Sequence, residues 1–188
     1  MTQLAYGPSM SFAAGTYRSK RSALDVPFVP TPQDVLRLML DVANPQPEER
    51  LYDLGCGDGR ILRRAVREYG CIGVGYEIDP SLASYAASKA RREGLKPERQ
   101  RVVCRDLSQA NLGRADVVTL YLTPEALLGL RRALEAQLRP EARVISHDYR
   151  IRGWMPESVQ ETVSALDGKK HTVFLYRAPV TSRRGQRR

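Results

Sequence analysis

Three acids and a run of alternate glycines are the residues whose types and spacing invite chemistry in this chain. In Leu51-Tyr52-Asp53-Leu54-Gly55-Cys56-Gly57-Asp58-Gly59-Arg60 an apolar run ends in an acid, and glycines then fall at every second position as a helical pattern begins. A strand feeding a side-chain-free turn into a helix N-terminus lets backbone approach a bound ligand closely. Glu77, 18 residues after Gly59, ends the next apolar run, and Asp106 follows the one after that. Acids after three successive strands would gather at the carboxyl edge of a parallel sheet, where such sheets bind ligands.

The details choose among nucleotide-like ligands. A dinucleotide fingerprint from Gly55 requires a third glycine at position 60, which is Arg60 here, and a Walker A loop requires Gly-Lys-Ser/Thr, which is absent. Asp53 precedes the first glycine by two residues. A carboxylate there repels a pyrophosphate but attracts the cationic amino-acid end of S-adenosylmethionine. Glu77 at a strand end suits two ribose hydroxyls, and Asp106 suits an adenine amino group.

Those positions need a βα scaffold. Val26-Pro27-Phe28-Val29-Pro30 is forced into extended backbone by its prolines. Thr31 as N-cap, Pro32 at the first helical position and Asp34 in the first turn then predict a helix with Val35, Leu38, Met39 and Val42 as its stripe. Strands are expected over 50–55, 72–78, 101–105, 116–122 and 143–149. Helices are expected over 58–69, from Asp79-Pro80 to Arg92, and from Thr123-Pro124-Glu125 to Pro140. Residues 107–114 are too short and polar for a helix. Val159–Ala165, a turn at 167–170 and His171–Arg177 read as a β-hairpin. Apolar strands separated by helices indicate a parallel sheet covered on both faces.

Composition sets outer bounds. A chain of 188 residues suits a single domain with a real core, and 42% apolar with 27% charged residues fits a globular protein. The net charge of +9 favours acidic partners, nucleic acid among them, although the Arg-rich tail carries much of the excess. Cys56, Cys71 and Cys104 form no C-x-x-C pair and no His lies at ligand spacing, so neither a disulfide framework nor a metal site is expected. A reducing cytoplasm is the expected location. No apolar run reaches 18 residues, so no membrane span is expected.

Asp53-Leu54-Gly55-Cys56-Gly57-Asp58-Gly59-Arg60 followed by Gly75-Tyr76-Glu77-Ile78-Asp79 resembles the class I S-adenosylmethionine-dependent methyltransferases. Residues 26–32, the segment 117–122, Arg143–Tyr149 with Ile151–Trp154, and 171–176 are similar to the archaeal broad-specificity protein-lysine methyltransferases. Those are related to mitochondrial lysine methyltransferases acting on ATP synthase and adenine nucleotide translocase. The resemblance implies a Rossmann-like α/β fold with a mostly parallel seven-stranded sheet and a terminal β-hairpin. The resemblance covers about residues 26–177, within an expected methyltransferase domain over 26–178. Outside it, residues 1–25, rich in Ser, Ala, Gly and Tyr with neither period, are expected to form a flexible arm and 179–188 a basic tail, and a monomer is expected.

By the same resemblance Asp53, Gly55 and Gly57 would hold the cofactor's amino-acid end, Glu77 its ribose and Asp106 its adenine, with Ile78 and Leu107 alongside. Val29, Pro30 and Thr31 would fold over the cofactor beside the substrate entrance. The product would be S-adenosyl-L-homocysteine, and the acceptor a lysine of a protein substrate.

Methyl transfer from a sulfonium is an in-line displacement, so the protein must mainly align donor and acceptor in a dry pocket. A lysine amine must arrive neutral, a state held by about one lysine in a thousand or fewer at pH 7. Burial and the neighbouring sulfonium charge both lower its pKa, so no strong base is required. Tyr121, Ser146 and His147 are candidates to orient the amine, with Tyr121 and His147 as the catalytic choices, and packing roles as their structural alternatives. Trp154 walls the substrate channel or caps the core. Thr119-Leu120-Tyr121-Leu122-Thr123-Pro124 stands where methyltransferases of exocyclic base amines carry Asn/Asp-Pro-Pro-aromatic, which disfavours that chemistry. An RNA methyltransferase and a non-catalytic S-adenosylmethionine-binding module are the alternatives.

Overall fold

A computed structural model describes residues 28–178. The arm at 1–25, Val26-Pro27 of the lead-in and the tail at 179–188 lie outside the described residues. Seven strands form one sheet: β1 (Arg50–Leu54), β2 (Ile72–Glu77), β3 (Gln100–Cys104), β4 (Val117–Leu120), β5 (Arg143–His147), β6 (Ser158–Val163) and β7 (Lys170–Arg177). Four helices accompany them: α1 (Gln33–Ala43), α2 (Arg60–Tyr69), α3 (Pro80–Arg92) and α4 (Pro124–Gln137).

The strand order is β3-β2-β1-β4-β5-β7-β6. The first five strands are mutually parallel, and β7 runs antiparallel between β5 and β6. The chain therefore builds outward from β1 through β2 to β3, then returns to place β4 on the other side of β1. That reversal opens a crevice at the carboxyl ends of β1 and β4.

Successive residues of the central strands serve opposite faces, as a pleated strand requires. On one face Leu51, Val117, Ile145, Val173 and Leu175 meet Val35, Leu36, Met39 and Leu40 of α1 and Ile61, Leu62 and Ala65 of α2. On the other, Tyr52, Leu54, Val118, Leu120, Val144, Phe174 and Tyr176 meet Ala126, Leu127, Leu130 and Leu134 of α4. At about 25 cal/mol per Å2 of apolar surface, these two layers are the dominant favourable contribution to folding.

The local start signals act as read at two helices. Asp79 accepts from the amides of Ser81 and Leu82 ahead of Pro80, and Thr123 Oγ1 accepts from Ala126 ahead of Pro124. The first helix differs. Its capping position is Pro32, extended at ψ 147°, so Thr31 stands too far back for its side chain to cap. Asp34 takes three other hydrogen bonds, from the Val35 amide, Ser164 Oγ and the Ala165 amide, tying α1 to the β6–β7 turn. Between β3 and β4 there is only a 3-10 turn at Leu107–Gln109.

Two strands are shorter than their sequence pattern. β4 ends at Leu120, the last residue paired with both β1 and β5, which releases Tyr121 from the sheet. β5 ends at His147 because Asp148 adopts a left-handed backbone, φ 61°.

Candidate active site

A cavity of about 320 Å3 sits in the crevice at the carboxyl ends of the parallel strands. Strand β1 delivers Asp53 to it, 3% exposed. Thr119 Oγ1 on neighbouring β4 donates to Asp53 Oδ1 across 2.8 Å, while Oδ2 is buried without a partner. Burial pushes the Asp53 carboxyl up to about 7; the Thr119 hydrogen bond pulls it down, and Glu77 and Asp58 raise it again. A buried carboxylate oxygen facing a cavity without a partner calls for a cationic ligand.

Glu77, the last residue of β2, is held at both oxygens. Oε2 accepts from the Gly57 amide and Oε1 from the Asp79 amide, each at 2.9 Å. A carboxylate has about four acceptor sites, so two amides fix its plane and leave lone pairs for ligand hydroxyls. Asp106 follows β3, accepts from the Ser108 amide at 2.8 Å, and lines the cavity with Leu107. Ile78, Gly55 and the segment Val29-Pro30-Thr31 also line it.

Gly57 does not line the cavity among the described residues. It adopts φ 51°, and a Cβ there would come within 2.2 Å of the Phe28 ring. Gly57 thus lets Phe28 lie against the loop while its amide holds Glu77. Phe28 lines the cavity itself and is a site residue that the sequence reading passed over.

Arg60 also does more than break a glycine pattern. Its guanidinium forms a two-pronged ion pair with Asp58, at 3.0 and 2.9 Å, and donates to the Thr31 carbonyl at 3.1 Å. The loop after β1 is clamped in this way to the segment that covers the cavity. Burial pushes Asp58 up, but its hydrogen bond and ion pair with Arg60, joined by Arg63, outweigh burial and lower its pKa. The signal in the sequence was the Asp58-Gly59-Arg60 spacing, though not the partner.

Tyr121, one residue past the end of β4, also lines the cavity. Burial pushes its phenol up to about 12, with the negative charges of Asp148 and Asp167 adding to it. The hydroxyl is therefore protonated across the physiological range. The His147 ring packs against it, centroids 4.0 Å apart.

His147 itself is fully buried and does not line the cavity. Its Nε2 lies 2.9 Å from His171 Nδ1. Burial drives its pKa down to about 4, and His171 lowers it further against the pull of Asp148. At His171 burial also opposes charge, but hydrogen bonding to Asp148 and Asp167 wins and the pKa rises. Ser146 is fully buried too, its hydroxyl donating to the Tyr149 carbonyl at 2.6 Å. Trp154 is a core residue. It packs edge-on against Tyr176, its indole N–H donates to Glu135 at 2.9 Å, and it does not line the cavity.

The chain matches the model of the ANTKMT methyltransferase domain over residues 53–158. It is 37% identical over 153 residues to a protein-lysine N-methyltransferase of Saccharolobus islandicus, covering 80% of this chain and 92% of that one. It is 32% identical over 139 residues to the adenine nucleotide translocase lysine N-methyltransferase of Mus musculus, covering 72% of this chain and only 58% of the longer mouse protein. Among solved structures, an RNA methyltransferase from Salinibacter ruber in complex with S-adenosyl-L-homocysteine superposes with TM-score 0.75 at 39% identity, covering 80% of this chain and 94% of that one.

Fold, crevice and relatives together define a class I methyltransferase that uses S-adenosylmethionine. The chain belongs to the ANTKMT methyltransferase domain family. The residues present fit the cofactor, since Asp53 Oδ2 is a buried acceptor with no partner beside the cavity and Glu77 keeps free lone pairs. Among the described residues no helix is long and apolar enough to cross a membrane.

Proposed function

We propose that this protein methylates lysine side chains of protein substrates, with Asp53 receiving the cofactor's ammonium, Glu77 its ribose hydroxyls and Asp106 its adenine. Bound there, S-adenosylmethionine supplies a methyl group activated on a sulfonium. The lysine nitrogen would take that methyl group as its bond to sulfur breaks, leaving S-adenosylhomocysteine, and would shed its extra proton to solvent. Phe28 to Thr31, held down through Arg60, exclude water from the donor side. Tyr121 accepts a hydrogen bond from the incoming amine and turns its lone pair toward the methyl group.

The observation that carries this reading is the Tyr121 phenol, held neutral in the wall of the cavity that Asp53 and Glu77 also line. A group with pKa near 12 is a poor general base at neutral pH, which suits an acceptor that arrives already deprotonated by desolvation and the adjacent positive charge. The names of the archaeal and mouse relatives support the lysine acceptor. The free thiols of Cys56, Cys71 and Cys104 support a reducing, cytoplasmic location, and a monomer is the expected state.

An RNA acceptor is the second reading, favoured by the net charge of +9 and by the name of the Salinibacter ruber relative. Incubation of the purified protein with methyl-labelled cofactor and a cell lysate separates the two. Label in protein bands, with mass spectrometry assigning it to lysine, is expected. Label removed by RNase and spared by protease overturns the lysine reading.

A further inference from the structure

Behind Tyr121, three electron-rich atoms converge. His147 Nε2 and His171 Nδ1 are 2.9 Å apart, Asp148 Oδ2 is 3.0 Å from that His171 nitrogen, and it is 3.4 Å from His147 Nε2. Strand pairing creates the triangle. His147 stands opposite Val173 across β5 and β7, so His171, two residues back, falls diagonally on the same face. The separation of 24 positions between the histidines hides this in the sequence, where no ligand spacing is visible.

Proton bookkeeping makes the triangle unusual. His171 Nε2 lies 3.2 Å from Asp167 Oδ2, and an ionised carboxylate only accepts, so that nitrogen carries a proton. In the singly protonated form of His171, Nδ1 then presents a bare lone pair, aimed at a carboxylate oxygen and at a second imidazole nitrogen. One proton on His147 satisfies only one of the three contacts, which leaves lone pairs facing each other in a largely buried place. A cation at the centre satisfies all three atoms together.

We propose that His147, Asp148 and His171 bind a divalent zinc-type metal ion. Two imidazoles and a carboxylate are donors of that class. Donors about 2.0 Å from an ion at tetrahedral angles stand about 3.3 Å apart, close to the three separations here. His171 and Asp148 have partners of the kind that orient metal ligands, while His147 Nδ1 is buried without one. Asp167 fixes the His171 tautomer, and the Thr172 amide holds Asp148 Oδ1 at 2.9 Å so that Oδ2 turns inward. Asp148 also maintains a left-handed backbone, a strained conformation that here aims its carboxylate. Its side chain is 25% exposed, which gives an ion access and leaves water for the fourth position. The ion would pin the end of β5 to the start of β7 beneath the ring of Tyr121.

Zinc chloride titrated into chelator-treated full-length protein, followed by calorimetry and thermal melting, tests the site. One ion per chain and a raised Tm are expected, and cobalt in the same site should give the visible absorption of tetrahedral coordination. Asp148→Asn keeps the Thr172 hydrogen bond and tolerates the left-handed backbone, so it should fold and bind at least about tenfold more weakly. Asp167→Asn should also weaken binding, through the lost orientation of His171. Absence of one-to-one binding to the folded wild type, or binding unchanged in Asp148→Asn and in His171→Gln, overturns the proposal and leaves a second proton on His171 as what fills the triangle.

Discussion

The Gly57 amide donates to Glu77 Oε2 across 2.9 Å, so the loop after β1 and the last residue of β2 hold each other in position. Glu77 thereby shapes the loop, and in the proposed binding mode its remaining lone pairs would also meet the ribose. Glu77→Gln keeps the side-chain size but can accept from only one of the two amides and loses the charge, so it should weaken S-adenosylhomocysteine binding about 10–100-fold by calorimetry with a modest fall in Tm. Glu77→Ala leaves the Gly57 and Asp79 amides unpaired and should lower Tm as well. Unchanged affinity in Glu77→Gln would remove Glu77 from the cofactor's partners.

Asp53 makes cofactor binding pH-dependent. Its folded pKa near 7 stands above the ordinary value of 3.8, so the neutral carboxyl favours the fold at low pH and that advantage fades as pH rises through 7. The cofactor-free protein should lose part of its stability between about pH 4 and pH 8 from this group. Binding has the opposite slope, because the ammonium prefers the ionised acid. The Kd for S-adenosylhomocysteine should tighten as pH rises through 7 and then level off, and Asp53→Asn should flatten the profile. A flat profile in the wild type would contradict an Asp53–ammonium contact.

Tyr121 lines the same cavity as Asp53, Glu77 and Asp106. Tyr121→Phe keeps the ring on His147 and removes only the hydroxyl. It should lower kcat about 10–100-fold, on the scale of one lost hydrogen bond in the transition state, while cofactor Kd stays within about twofold. If both constants remain at the wild-type level, the ring serves packing alone.

Trp154 packs on Tyr176 and bonds Glu135 of α4, away from the cavity. Trp154→Ala should cost about 3–5 kcal/mol of stability, read from denaturant unfolding. At a temperature where the variant is still folded, cofactor affinity should be that of the wild type. Selective loss of acceptor methylation at intact stability would return Trp154 to the substrate channel.

Local signals carried most of the fold. Asp79-Pro80 and Thr123-Pro124 start helices because the capping bonds span only two or three residues. The turn around Gly168 closes the hairpin at φ 71°, a conformation that glycine adopts freely. The acids after β1, β2 and β3 were legible for the same reason, since their places follow from strand ends. Long-range partners were hidden. Arg60 reaches Thr31 across 29 residues, and His147 meets His171 only through the register of β5 on β7. Trp154 finds Glu135 only once α4 has packed on the sheet. Strand lengths depend on neighbours as well, so β4 stops at Leu120 although its apolar pattern continues through Leu122.

The reversal of strand order at β1 and β4 also sorts the cavity walls by chain position. Phe28 to Thr31, Asp53, Glu77 and Asp106 all precede residue 107, and Tyr121 and Leu122 follow it. With the roles proposed for these residues, methyl-donor recognition and methyl-acceptor recognition would be written in consecutive blocks of the polypeptide. A single recombination point in the short stretch between Gln109 and Val117 would exchange one block whole. An enzyme with this layout can acquire a new acceptor while inheriting its donor site intact.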